Sequence, residues 1–233
     1  MTSNGGLQSD GFTLVREVLA PSQLTELLSV ILPKPDSPGV HPAPYALRNL
    51  LWDRPQMSTT LAGLGIHDIA SKALGGPAFA INALYFDKTN RANWKVPCHQ
   101  DVMMPVEERV DEPGFGGWTV KAGVPHVEPP ADVLAGLVAL RIHFDDCPAA
   151  NGSLSVLPGS HCGGKLRDAD LGALGRGSFV DCEAKMGDVL VMRPLLVHRS
   201  SAALDPKHRR VLHVVYATKE PGSTVRWKRP VRQ

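Results

Sequence analysis

The chain has 233 residues, 43% of them hydrophobic and 21% charged, with a formal net charge of +2. This composition describes a globular protein able to bury one large core, and its charge balance is too mild for a nucleic-acid partner. No apolar run approaches the roughly 18 residues of a membrane span, no cationic and apolar leader opens the chain, and Cys98, Cys147, Cys162 and Cys182 lack zinc-knuckle spacing, so a cytoplasmic protein is expected.

A first helix is expected over 22–32, where Leu24, Leu27, Leu28 and Ile31 recur at helical spacing between Pro21-Ser22 and Pro33. Arg48-Asn49 reads as a cap or surface pair. A second helix is expected over 58–74, with Leu61, Leu64, Ile69 and Leu74 on its apolar side; Gly63 and Gly65 weaken it. From residue 78 the texture changes to strands, expected over 78–86, 94–102, 134–144, 154–157, 189–192 and 210–216. Between them, 106–130 carries four Gly and four Pro and reads as a long loop, expected to act as a lid. The basic end, with Arg226, Lys228, Arg229 and Arg232, reads as a solvated tail. A helical part over about 1–76 followed by a β core over about 77–217 describes one domain spanning 1–233, mainly β, a barrel or sandwich with helices packed outside.

The triplet His99-Gln100-Asp101 falls in the second of these strands. Side chains at i and i+2 share a strand face, so His99 and Asp101 point the same way. A further His from a distant strand, His198, would complete two imidazoles and one carboxylate on one side of an ion. That is the facial arrangement of non-haem Fe(II) oxygenases, which leaves coordination positions open. Downstream the chain reads Asn151-Gly152-Ser153-Leu154, a turn opening a strand, although Asn151-Gly152-Ser153 also matches a glycosylation acceptor. Leu157-Pro158-Gly159-Ser160-His161 closes that strand, Gly187-Asp188 opens the next, and His198-Arg199-Ser200 is followed by Arg209, eleven residues after His198.

This order of motifs, over about 80–217, resembles the phytanoyl-CoA dioxygenase family of Fe(II)/2-oxoglutarate oxygenases. The resemblance implies a double-stranded β-helix, a jelly-roll, cupin-like barrel with flanking N-terminal helices. It implies Fe(II) held by His99, Asp101 and His198, with 2-oxoglutarate as co-substrate and O₂ as oxidant. Arg209 matches the arginine that pairs with the distal carboxylate of 2-oxoglutarate, and Ser200 the assisting hydroxyl. A bidentate Arg–carboxylate pair suits a buried dicarboxylate. Arg210 points to the opposite strand face, so only one of the two arginines can enter the barrel. Asn82 is expected to face the 2-oxoglutarate site. The implied activity is oxidation, by hydroxylation, of a C–H bond in a small organic substrate, with release of succinate and CO₂. The family often has Gly after the distal His, where this chain has Arg199, and an acidic residue at 101 argues against a halogenase.

The candidate substrate contacts are Lys121 and Trp118 in the 106–130 loop, Arg141 and His143 on one strand face, and Arg199. If that face lines the barrel, Arg141 and His143 are pocket residues; if it faces out, they are solvated. Lys121 is either solvated or the partner of a substrate carboxylate or phosphate. Trp94 reads as core, Cys98 as a packed thiol facing away from His99, and His161 as part of a structural turn. His126, His208 and His213 show no partner spacing, and Lys88 precedes the metal-binding strand without an assigned role. Two other readings compete: an inactive jelly-roll module that keeps the metal structurally, and a cupin-type metalloenzyme without a 2-oxo acid. The second usually needs three or four His with Glu.

Overall fold

A computed structural model describes residues 6–32, 45–204 and 206–228; Pro33, Arg229 and Arg232 lie outside the described residues. In chain order the N-terminal part contains β1 (Phe12–Val15), α1 (Pro21–Ile31), β2 (Ala46–Leu47), α2 (Leu50–Asp53), α3 (Met57–Gly63) and α4 (Ile66–Leu74). The strands β3 (Phe79–Lys88), β4 (Val96–His99), β5 (Met104–Pro105), β6 (Gly116–Lys121) and β7 (Val124–Glu128) follow. Then come α5 (Ala131–Ala135), β8 (Val138–His143), β9 (Leu154–Val156), α6 (Asp168–Leu174) and β10 (Val180–Cys182). The chain closes its sheets with β11 (Val189–Met192), β12 (His198–Ser200) and β13 (Arg209–Ala217).

Four expectations change. The helix expected over 58–74 is two helices, α3 and α4, separated at Leu64-Gly65, because Gly65 adopts a left-handed conformation (φ 69°). The first residues of the strand expected from 134 belong to α5, and β8 starts only at Val138. The 106–130 loop is partly ordered: β6 and β7 form an antiparallel hairpin, and β5 pairs with β7 to make a three-stranded sheet. The basic C-terminal end also departs from a solvated tail. Trp227 and Val225 are fully buried, and the Trp227 indole N–H donates to the Lys219 carbonyl at 2.9 Å.

The remaining strands form two antiparallel sheets, β1-β11-β8-β13-β3-β2 and β10-β9-β12-β4. This is the jelly-roll arrangement that the sequence implies. The six-stranded sheet has one core on each face, because its strands alternate. Leu140, Ile142 and Phe144 of the β8 segment, with Ala83 and Tyr85 of β3, pack against α1, α3 and α4 through Leu27, Ile31, Leu61 and Ile66. On the other face Phe79, Ile81, Leu190 and Val215 meet Leu154 and Val156 of the smaller sheet.

A register shift in the β3–β13 pair decides which residues of β3 look inward. Val215 faces Asn82, but its neighbour Tyr216 faces Ala80, so β3 holds one extra residue, Ile81. Such a bulge exchanges the two faces of a strand along its length. Before it, Phe79 and Ile81 enter the inter-sheet core. After it, Leu84, Phe86 and Lys88 do so instead, opposite His213, Val211 and Arg209.

Candidate metal centre

Between the two sheets lies a cavity of about 180 Å³. From the larger sheet β3 presents Leu84, Phe86 and Lys88, β8 presents Arg141, and β13 presents Arg209 and His213. The facing sheet contributes His99, His198 and Ser200, with Asp101 just past the end of β4. The strand stops at His99, so Asp101 owes its direction to its own anchor: its N–H donates to the Pro194 carbonyl at 2.9 Å. Gln100 points the other way and ties three loops together. Its amide donates to the carbonyls of Leu195 (2.6 Å) and Gly164 (2.9 Å) and accepts from the Leu166 N–H (2.9 Å).

His99, Asp101 and His198 place one ligand atom each within 4.8 Å of one another. His99 and His198 are direct cross-strand partners in the β4–β12 pair. The ring Nδ1 of His99 lies 2.9 Å from the Pro97 carbonyl, and that of His198 lies 2.8 Å from the Leu196 carbonyl. A carbonyl only accepts, so both Nδ1 atoms carry the proton and both Nε2 atoms turn a lone pair toward Asp101. The separations are 3.9 Å from His99 Nε2 to Asp101 Oδ1 and 3.7 Å from His198 Nε2 to Asp101 Oδ2. Burial holds the His198 imidazolium down at about 4, against the pull of Asp101. Burial alone would raise the Asp101 carboxyl, but His198, His213, His99 and Arg141 hold it at about 2. Three acceptors thus converge on one point. That is unfavourable in isolation and is what a divalent cation requires. The donor set fits a metal ion of the imidazole–carboxylate class.

A third imidazole reaches the same carboxylate in the opposite tautomer. Arg141 Nη1 lies 3.3 Å from His213 Nδ1. A guanidinium has no acceptor, so it donates, and the His213 proton stays on Nε2. That Nε2–H faces Asp101 Oδ2 at 3.6 Å. His213 therefore presents a donor to Asp101, whereas His99 and His198 present lone pairs.

At the far end of the cavity the cations gather. Arg209 donates from Nη1 to the Gly152 carbonyl, and its buried Nε has no hydrogen-bond partner among the described residues. Gly152 is held at φ 70°, where a Cβ would stand 2.8 Å from the Ser201 carbonyl oxygen, so the turn that receives Arg209 needs glycine. The Lys88 ammonium donates to Ser200 Oγ at 2.9 Å.

Of the sequence-derived candidates, His99, Asp101, His198, Ser200, Arg209 and Arg141 line the cavity. The strand-face question for Arg141 is answered by Leu140 and Ile142 packing on the helix side. Other candidates stand elsewhere. His143 is buried beside β11, its Nδ1 3.3 Å from the Asp188 carbonyl. Asn82 is buried on the cavity face of β3 but short of the cavity lining. Arg199 alternates away from His198 and Ser200; it donates to the Gly175 carbonyl at 2.8 Å and stacks 3.9 Å over Phe179. Trp118 packs on the inter-sheet core under Arg109. Lys121 lies on the hairpin, outside the lining, with its ammonium lowered by burial and by Arg48. His161 meets the Gln8 carbonyl at 3.2 Å, away from the cavity, while Ser160 of the same turn accepts the Val197 N–H at 2.9 Å and so braces the His198 strand.

Among the lining residues not assigned there from sequence are Lys88, His213 and Trp94, the last expected in the core. His213 was legible in principle, two and four residues along β13 from Val211 and Arg209 on one face. Lys88 was not, because the β3 bulge reverses the alternation ahead of it.

A sequence model of the phytanoyl-CoA dioxygenase (PhyH) family matches residues 7–211. No curated protein matches the sequence. Among solved structures, AviO1 from Streptomyces viridochromogenes Tue57 superposes with a TM-score of 0.64 at 24% identity, covering 93% of each chain. SnoK, a non-haem alpha-ketoglutarate-dependent carbocyclase from nogalamycin biosynthesis, gives 0.64 at 17% identity over 94% of this chain and 85% of its own. HygX from Streptomyces hygroscopicus, solved with nickel and 2-oxoglutarate bound, gives 0.58 at 17% identity over 92% and 85%. At these identities the superpositions establish the fold. The family match covers most of the chain: this protein belongs to the phytanoyl-CoA dioxygenase family, and its function is of the dioxygenase type.

Proposed function

We propose that this family member is an Fe(II)- and 2-oxoglutarate-dependent dioxygenase that hydroxylates a C–H bond of a small organic molecule. The observation that carries the reading is the pairing, within one cavity, of a converging His99–Asp101–His198 acceptor set with a buried Arg209 on the facing sheet. When bound by the first three residues, Fe(II) would supply C–H oxidation by O₂ coupled to conversion of 2-oxoglutarate to succinate and CO₂.

The chain's own residues do the rest. Arg209, with Ser200, holds the distal carboxylate and so sets how far 2-oxoglutarate extends toward the metal ligands. Leu84, Phe86, Val96, Leu154 and Val211 line the cavity with apolar surface that excludes water. Arg141, by donating to His213 Nδ1, keeps the Nε2–H of that ring turned toward Asp101. A module that merely kept a structural metal would have no use for three buried cations in the metal cavity, and a cupin site would ordinarily use more imidazoles and Glu. We assign the activity to a single domain, since the helical part and the β part share the six-stranded sheet through the core on its outer face. Among the described residues no helix is long and apolar enough to cross a membrane. The four unpaired cysteines support a reducing, cytoplasmic location.

The test is aerobic incubation with Fe(II) and 2-oxoglutarate. Slow succinate release is expected even without a prime substrate, abolished by His198→Ala and reduced about a hundredfold by Arg209→Ala. The absence of both succinate and calorimetric 2-oxoglutarate binding by the metal-loaded protein would refute the reading. SnoK's description as a carbocyclase motivates product analysis once a substrate is in hand: hydroxylation adds one oxygen atom to the substrate, whereas ring closure removes two hydrogens.

A further inference from the structure

We propose that Arg48 and Lys121 form an anion-binding subsite at the mouth of the metal cavity, and that the prime substrate is a molecule carrying a carboxylate or a phosphate group. The inference rests on the dioxygenase reading above and deepens it by naming the class of substrate.

The metal ligands show where the cavity opens. The His198 side chain is 3% exposed, whereas those of His99 and Asp101 are 35% and 28% exposed. Substrate therefore arrives over His99 and Asp101. Arg48 follows Leu47, the last residue of β2, which pairs with Tyr85 of β3, and so it comes level with Leu84, a lining residue. Lys121 ends β6, in the hairpin that follows the metal-binding strand. Asp101 stands close enough to act on the Lys121 ammonium, which Arg48 in turn repels.

The backbone holds these two cations together. The side-chain amide of Asn49, next to Arg48, donates to the carbonyl of Ala122, next to Lys121, at 3.1 Å. Both of these neighbours are left-handed, Asn49 at φ 60° and Ala122 at φ 49°. Among the described residues Glu17 is the only other non-glycine residue in that conformation. Ala122 is the plainer case of strain, since it takes the first place of the two-residue turn between Lys121 and Val124, where glycine, asparagine or aspartate is usual. Such strain persists where the surroundings impose it, and it gathers beside functional sites.

The pair lacks an anion. Neither side chain makes a hydrogen bond or an ion pair among the described residues. Lys121 is half-buried, and its ammonium is lowered by burial first and by Arg48 second, with Asp101 alone opposing. Asp101 is already committed to the metal ligands. His126, on the same hairpin face through its pairing with Thr119, is lowered by burial and by both cations, so it supplies no negative charge either. An anion from outside would relieve the repulsion between Arg48 and Lys121 and take charge-assisted hydrogen bonds from both. The arginines deeper in the cavity are engaged elsewhere, Arg141 with His213 and Arg209 with the Gly152 carbonyl. A substrate held at the mouth by its anionic group would extend inward along Leu84 and Phe86 toward the metal ligands.

Hexanoate, hexyl phosphate, 1-hexanol and hexylammonium serve as probes that share one chain and differ in charge. Each is titrated by calorimetry into the protein loaded with Ni(II) and saturated with 2-oxoglutarate, so that the co-substrate site is filled. Wild type should bind at least one of the two anions about 10-fold or more tighter than 1-hexanol, and the tighter anion identifies the group the substrate carries. The double variant Arg48→Met with Lys121→Met should bind both anions no tighter than the alcohol. Arg48→Glu with Lys121→Glu should prefer hexylammonium. Both variants should keep the wild-type affinity for Ni(II) and for 2-oxoglutarate. Equal affinity of wild type for the alcohol and both anions, binding of none of them, or an anion preference that survives the double methionine substitution would overturn the assignment. If wild type binds no 2-oxoglutarate, the dioxygenase reading fails instead, and the same probes titrated into the Ni(II)-loaded protein still decide the subsite.

Discussion

His213 Nε2 stands 3.6 Å from Asp101 Oδ2, almost the distance at which His198 Nε2 approaches the same oxygen, 3.7 Å, yet the two rings are in opposite tautomers. The Leu196 carbonyl accepts a hydrogen bond from His198 Nδ1–H, and the Arg141 guanidinium donates to His213 Nδ1, which leaves the His213 proton on Nε2. One imidazole thereby turns a lone pair, and the other an N–H, toward the same carboxylate oxygen.

From this relationship His213→Leu should weaken metal binding by about 10- to 100-fold, the range found when an outer partner of a metal ligand is lost. His213→Gln, which can still donate, should lose less. Calorimetric titration of the apoprotein with Fe(II) under anaerobic conditions, or with Ni(II), measures both. Equal affinities in wild type and His213→Leu would mean that Asp101 needs no such support.

Metal itself should stabilise the fold, because the ligands come from separate segments that only the folded chain brings together. At a free metal concentration of about 100 times Kd the expected gain is about 2.7 kcal/mol. Thermal unfolding with and without Ni(II) reads it as a rise in Tm. His99→Ala should unfold at a temperature that metal no longer shifts.

Gly152→Ala should destabilise the protein by about 2 kcal/mol or more, since a left-handed residue without glycine costs about 1–2 kcal/mol and the new methyl group also meets the Ser201 carbonyl. The corresponding fall in Tm is on the order of 4–8 °C. Because Ser201 follows Ser200 and Gly152 accepts from Arg209, 2-oxoglutarate affinity should fall as well, which calorimetry would register.

Stability of the apoprotein should fall as pH is lowered below neutrality. Burial and neighbouring Arg141 depress the His143 imidazolium to about 4, and burial also lowers His67 and His126. In the unfolded chain each returns to about 6.5. Between pH 6.5 and 4 the unfolded state therefore binds more protons, so stability is greatest above this window and is lost as pH falls through it. Urea midpoints measured from pH 7.5 to 4.5 should decline, and His143→Gln should flatten part of the slope. A midpoint independent of pH would contradict the buried, neutral state of these rings.

The sequence by itself determined the jelly-roll class and the core of the site. His198 and Ser200 alternate onto one face of β12, and Arg209, Val211 and His213 onto one face of β13. Period-two alternation survives translation from sequence to structure wherever a strand runs without interruption. The tertiary structure decided what lies beyond such runs. The extra residue Ile81 in β3 reverses its faces and carries Lys88 into the cavity, although the apolar run before it gives no sign. Arg199 turns to Phe179 and Gly175, partners supplied by the segment around α6, twenty residues or more away in the chain. Asp101 is aimed by a bond to Pro194 and not by its strand. In each case the outcome depends on which distant backbone a residue pairs with. A register between strands is a property of two segments, so no reading of either one alone contains it.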